Sequence, residues 1–169
     1  MSNIAIQKQI EINASAKEVW NILANDYENV GKWATIIPES AARKDHAGKV
    51  AGRTCSSSYG DVQEMITEFD EKNMQYAYKA DGLSAMFKEG GNVWNVKSKG
   101  ENTSLVTMNL KMKMNPVMGL LMGWMIKPKM NKDTTLLMED LKYYVETGNP
   151  HPRKIKSVEK WNKQKAKKK

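Results

Sequence analysis

Glu64 is the carboxylate whose surroundings come nearest to proton-transfer chemistry. It sits in the strand-like run Val62-Gln63-Glu64-Met65-Ile66, and three phenols, Tyr59, Tyr76 and Tyr78, fall on neighbouring strand-like stretches. A carboxylate and a tyrosine enclosed together can pass a proton to and from a bound substrate. Facing decides whether that chemistry is available. Glu64 shares parity with Val62 and Ile66, which turns it inward, where loss of water raises a carboxyl pKa toward what a general acid or base needs. Met65 and Phe69 hold the other parity, so a surface strand carboxylate is the competing reading.

Other reactive groups are sparse. Cys55 is the single cysteine, so no internal disulfide and no cysteine-based metal site can form. It lies in the strand-like run Arg53-Thr54-Cys55-Ser56-Ser57 with no histidine near it in sequence, and reads as a half-buried strand residue rather than a nucleophile. His46 and His151 are far apart in loop-like sequence, so a histidine-rich metal site is excluded and neither a metal nor a cofactor is expected. Gly90-Gly91 lacks the lysine and the strand-to-helix setting of a phosphate loop, and Glu89-Gly90-Gly91-Asn92 reads as a turn.

The elements that must position these groups follow from periodicity. Ile4, Ile6, Ile10 and Ile12 share one parity, which predicts a strand with one wet face. Ser15-Ala16-Lys17-Glu18 is a capping box that opens a short helix at Ala16 with Val19, Trp20, Ile22 and Leu23 inward, and Tyr27 to Trp33 makes a second short helical stretch. From Pro38 to Asp81, short strands alternate with turn signals, the pattern of an antiparallel meander. The clearest strand is Thr103 to Met114, with Val106, Met108, Leu110, Met112 and Met114 on one face. Then comes the one long helical stretch, Pro116 to Val145.

That helix changes character along its length. From Val117 to Ile126 nearly every residue is apolar, whereas from Met130 onward apolar residues return at helical spacing. The first half is either core packing or one wall of a cavity, since methionine fits irregular contents well. Pro128 is expected to kink the helix between the two halves.

Size and charge bound the rest. The 169 residues fit one domain, 1–147, with a basic appendage, 148–169. The run Pro116 to Ile126 is about half the roughly 20 residues that span a membrane, and the N-terminus alternates instead of offering a signal-peptide block, so a soluble cytoplasmic protein is expected. The net charge of +8 lies wholly in residues 153–169, which hold nine Lys or Arg and one acid. The globular part is neutral and has no bias toward a polyanion. In the appendage, Ile155, Val158 and Trp161 at three-residue spacing suit a short amphipathic helix, either on an anionic membrane or docked back on the domain, with nucleic acid as a further weak partner.

Strand, two short helices, about six antiparallel strands and one long apolar helix imply a curved sheet wrapped around that helix, an α+β arrangement. Several stretches carry a resemblance: Ile10 to Trp20, Trp33 with Ile37-Pro38, Gly52-Arg53, Glu64 to Asp70, Tyr76, Asn102-Thr103-Ser104 and Leu141 to Glu146. Residues 4 to 147 thus resemble the helix-grip fold of the START-like or Bet v 1-like (SRPBCC) superfamily, in its polyketide cyclase/dehydrase and lipid-transport branch. The resemblance implies a deep cavity between sheet and helix for a hydrophobic small molecule such as a lipid or polyketide. Candidate ligand-binding residues are Trp94, Met108, Leu110 and Met112 from the strands and Met118, Leu121, Met122 and Met125 from the helix, with Tyr59, Tyr76, Tyr78 and Glu64 as polar points. Trp33 is either a lid residue at the mouth or a packing tryptophan. The expected function is binding or carriage of such a molecule; the alternative is a cyclase/dehydratase-like enzyme working through Glu64 and a tyrosine.

Overall fold

Alternation of apolar and polar residues builds the strands. The computed structural model describes residues 3–57 and 60–167, and among these a seven-stranded sheet forms. Its strands are β1 (Asn3–Ile12), β2 (Glu39–Lys44), β3 (Val50–Ser57), β4 (Gly60–Asp70), β5 (Gln75–Asp81), β6 (Phe87–Gly100) and β7 (Thr103–Met114). All pairings are antiparallel and the order is β1-β7-β6-β5-β4-β3-β2, so the first strand closes against the last. Register irregularities interrupt the ladders at Arg43/Lys44, Ile66/Glu68, Phe87/Glu89 and Ser98/Gly100, and such bulges bend strands and increase twist. The sheet therefore curves.

One predicted turn is a strand. Residues Glu89 to Asn92 lie within β6, and the chain reverses earlier, at residues 82–86, where Gly82 takes φ +73°. The two glycines are there for close approach: a Cβ on Gly91 would stand 2.9 Å from the Tyr78 carbonyl oxygen, and one on Gly90 would stand 2.6 Å from the Met112 sulfur.

Between β1 and β2 the capping box is in place, with the Glu18 amide donating to Ser15 Oγ at 3.3 Å and Ser15 N–H donating to the Glu18 carboxylate at 2.9 Å. It starts α1 (Ala16–Trp20), which runs into a wider π turn at Asn21–Asn25 and a 3-10 stretch at Tyr27–Lys32. Their buried side chains, Trp20, Leu23, Tyr27 and Val30, join Trp33, Tyr76, Trp94, Val106, Met108 and Leu141 in the larger hydrophobic core. A smaller cluster at the other end of the sheet combines Ile4, Ile6, Phe87, Met112, Met114, Ile126 and Met130.

α2 (Pro116–Thr147) covers the concave face of the sheet. Asn115 caps it by accepting from the Val117 amide, Pro116 occupies the first turn where no N–H is needed, and Gly148 ends it at φ +70°. Its buried side chains, Ile126, Met130, Thr134, Leu137, Met138 and Leu141, recur at helical spacing, with Asp140 beside them. Pro128 is on the exposed side, within a helix that continues past it. No helix among the described residues is long and apolar enough to cross a membrane.

Residues 152–166 form α3 (Pro152–Ala166), docked back on the domain. The Lys154 ammonium is buried and donates to the carbonyls of Ile37 at 2.7 Å and Pro38 at 3.3 Å, while Ser157 donates to the Thr35 carbonyl at 2.8 Å. Arg153 Nε donates to buried Asp140 at 2.7 Å, and the other oxygen of Asp140 accepts from the Thr35 amide at 2.7 Å. Part of the basic charge of this segment is thus internal, although Lys156, Lys160, Lys163 and Lys167 remain exposed. Lys168 and Lys169 lie outside the described residues.

Candidate functional site

Curvature leaves a space where the middle of α2 crosses the sheet. The cavity measures about 130 Å³. Its helix side is made by Met130, Asp133, Thr134 and Leu137, its floor by Tyr78, Met108, Leu110 and Met112, and its rim by Ile36, Ile37, Leu83 and Phe87. Cys55, Val62, Glu64 and Asn92 complete the polar and far walls. Apolar side chains dominate, with a few converging polar groups, which is the usual make-up of a small-molecule site.

The polar end is organised by a buried ion pair. Arg53 and Glu64, opposite one another on β3 and β4, meet with Nε donating to Oε2 at 2.6 Å. Tyr27 donates its hydroxyl to the same Oε2 at 3.0 Å, and Arg53 Nη1 donates to the Tyr27 carbonyl at 2.6 Å. The guanidinium lies 3.9 Å from the centre of the Tyr27 ring, a cation–π arrangement. Gly52 permits this pairing: a Cβ there would sit 2.1 Å from the Glu64 carbonyl oxygen, so only glycine lets β3 lie this close to β4 beside the pair. Burial alone would lower the Arg53 pKa, but Glu64 raises it well above its ordinary value, and the guanidinium stays charged. Burial pushes the Cys55 thiol up to about 12, so it does not ionise near neutral pH and stands as a fully buried strand residue.

Asn92 is the other polar feature. Its Nδ2 lies 3.5 Å from the Tyr78 hydroxyl, whereas its Oδ1 is buried with no hydrogen-bond partner among the described residues. An unpartnered amide oxygen in an apolar enclosure costs roughly 1–3 kcal/mol, which a ligand donor would recover.

The expected site residues divide into three sets. Glu64, Tyr78, Met108, Leu110 and Met112 are brought together around the cavity, and Glu64 faces inward. Tyr76, Trp94 and Trp33 are buried in the larger core instead. Tyr76 is held edge-on by Trp20 at 6.0 Å and by Tyr27 at 5.5 Å, and Trp33 is a packing residue. The helix prediction needs correcting. Leu121 and Met125 are exposed, Met118 and Met122 are half-buried outside the lining, and the wall is supplied about three turns later, by Met130 to Leu137. The physical reason is that burial on α2 does not begin until Gly123, so its first turns overhang the core. Tyr59 lies outside the described residues. Asn92 and Leu137, which line the cavity, and Arg53 and Tyr27, which hold Glu64 in place, were missed, the last two because the register and packing that bring them to Glu64 are not written in strand parity.

The phenols give a titration prediction. Burial raises the pKa of Tyr27, Tyr76 and Tyr78 above the ordinary tyrosine value, with Arg53 opposing in each case. Above about pH 10, where an unfolded tyrosine loses its proton, the folded state holds more protons than the unfolded one, so stability falls as pH rises. In an alkaline titration, at least three of the six tyrosines are expected to yield phenolate absorbance only as the circular dichroism signal collapses. Ionisation of all six with the fold intact would contradict this placement.

Comparison with known proteins bears on the whole domain. The family model described as polyketide cyclase / dehydrase and lipid transport matches residues 3–146. No curated protein matches the sequence. Among solved structures, a START superfamily protein from Mycobacterium smegmatis superposes with a TM-score of 0.68 at 17% identity, covering 84% of this chain and 97% of that one. A Thermus thermophilus protein gives 0.66 at 18%, covering 83% and 96%. Norcoclaurine synthase from Thalictrum flavum, in complex with dopamine and hydroxybenzaldehyde, gives 0.63 at 12%, covering 85% and 86%. Identities this low speak for the fold, which is the helix-grip arrangement of the START-like and Bet v 1-like proteins. With the family model spanning nearly all of the sheet and α2, the chain belongs to the polyketide cyclase/dehydrase and lipid-transport family.

Proposed function

We propose that the protein binds and carries a compact hydrophobic molecule bearing one polar group, held between the sheet and α2. The observation that supports this most is the unpartnered Asn92 Oδ1 inside an otherwise apolar enclosure. A cavity of about 130 Å³ accommodates roughly one aromatic ring, since an apolar cavity of about 150 Å³ takes benzene. A lipid- or polyketide-like ligand would place a ring or chain end there, and further length would displace Met112 and Met130, whose unbranched side chains rearrange readily. The fold's capacity for such contents is illustrated by norcoclaurine synthase, whose complex holds dopamine and hydroxybenzaldehyde.

Catalysis of the cyclase or dehydratase kind draws support from Glu64 and Tyr78 lining one cavity. Binding is favoured because Glu64 Oε2 already accepts from Arg53 and Tyr27, which suits a fixed structural charge better than a proton shuttle. The reading is tested by titrating benzyl alcohol and toluene into the protein, followed by NMR chemical shifts. The alcohol is expected to bind about tenfold more tightly, as one recovered hydrogen bond predicts, and Asn92→Leu to remove that preference. Equal affinities, or shifts remote from β6 and α2, would contradict it.

A further inference from the structure

The first turns of α2 carry a feature that the cavity does not use. Val117, Leu120, Leu121, Trp124 and Met125 are all exposed, Leu120 at 84% and Trp124 at 78%. Their spacing of three and four residues places them on one stripe, opposite the buried Gly123, Ile126 and Met130. Further along, the same outward direction holds Lys132, Thr135, Glu139 and Lys142, the ordinary polar face of a surface helix. Only the overhanging half is apolar on its outer side. Single exposed apolar residues need no explanation, but a contiguous stripe containing tryptophan and two leucines marks an interaction surface.

The charge around the stripe identifies its partner. From Asn115 to Lys132, the stretch that carries the stripe, the sequence holds three lysines and no acidic residue. Lys129 pairs with Asp133, while Lys127 and Lys132 are exposed with no ion pair among the described residues, Lys132 on the same outward side of α2 as the stripe. An apolar stripe followed on the same helix by lysines matches an anionic bilayer surface, with tryptophan at headgroup depth and lysine stems reaching back to the phosphates. We propose that Val117 to Met125 of α2 docks on an anionic lipid membrane, with Leu120, Leu121 and Trp124 entering the interface. The site is separate from the basic face of α3, which joins α2 near Asp140, ~24 Å along the helix from Trp124 at 1.5 Å per residue. It stands whether or not the cavity takes a ligand.

The test is flotation of the full chain with phosphatidylcholine vesicles, with and without phosphatidylserine, read also by tryptophan fluorescence. Trp124 is the most exposed of the five tryptophans, so its emission should shift to shorter wavelength on docking. Binding is expected only to the phosphatidylserine vesicles and to weaken as salt is raised. L120S/W124S, which removes side chains that make no core contact, is expected to lose at least tenfold in partitioning with unchanged circular dichroism. K160E/K163E on α3 should leave partitioning within about twofold. Partitioning that survives L120S/W124S, or that K160E/K163E abolishes, would overturn the proposal, the second assigning contact to α3. So would absence of vesicle binding in a chain that dimerises through this stripe, shown by sedimentation equilibrium and reversed by L120S/W124S.

Discussion

Replacing Glu64 by alanine is expected to destabilise the protein by about 3–5 kcal/mol, the cost of leaving a buried charge without its partner. Arg53 cannot escape by losing its proton, because a guanidinium stays charged under any ordinary condition. It would be left 4% exposed, with the Tyr27 carbonyl and the Tyr27 and Tyr78 rings beside it but no counter-charge from Glu64, while the Tyr27 hydroxyl lost its acceptor. The urea midpoint should fall accordingly with little change in slope. Substituting both partners, Arg53→Met with Glu64→Leu, is expected to restore most of the loss, since a packed apolar pair is often as stable as the ion pair it replaces. The double variant also separates structure from chemistry. A protein that regains stability yet loses ligand binding would place the ion pair in recognition as well as in folding.

The second large effect concerns the cavity. Leu137 faces it from α2, across from Met108 and Leu110 on β7, so Leu137→Trp would project an indole into the space. Enlarging a side chain in a filled core costs about 1–3 kcal/mol; here the added atoms have somewhere to go, and a stability change within about 1 kcal/mol of zero is expected. Binding should suffer far more, by about a hundredfold or beyond, because the ligand and the indole would compete for one volume. Thermal unfolding with and without benzyl alcohol checks both halves of the statement. The wild type should gain stability from the alcohol through binding to the folded state, and the variant should not.

The fold was largely legible because its signals are local and periodic. Isoleucines of one parity at Ile4 to Ile12, the capping box at Ser15 and Glu18, and the alternation from Val106 to Met114 each specify an element and each is realised. Gly90-Gly91 misled because glycine marks both turns and close backbone approach, and only the pairing of β6 with β5 and β7 tells them apart. The cavity's helix wall was misplaced for a different reason. Val117 to Ile126 is apolar all round, so hydropathy offers no phase, and a half-helix that overhangs the core looks the same as one that is enclosed by it. Asn92 was hidden by the same misread turn. The ion pair of Arg53 and Glu64 depends on the register between β3 and β4, which parity alone does not fix.

The most direct test of the central claim is native mass spectrometry of the freshly purified protein, with organic extraction and identification of whatever is retained. The cavity account predicts a bound hydrophobic molecule with a hydroxyl or similar donor in the wild-type protein, and its loss in Leu137→Trp. A wild-type protein that carries no such molecule, and that takes up neither benzyl alcohol nor toluene when they are added, would contradict it.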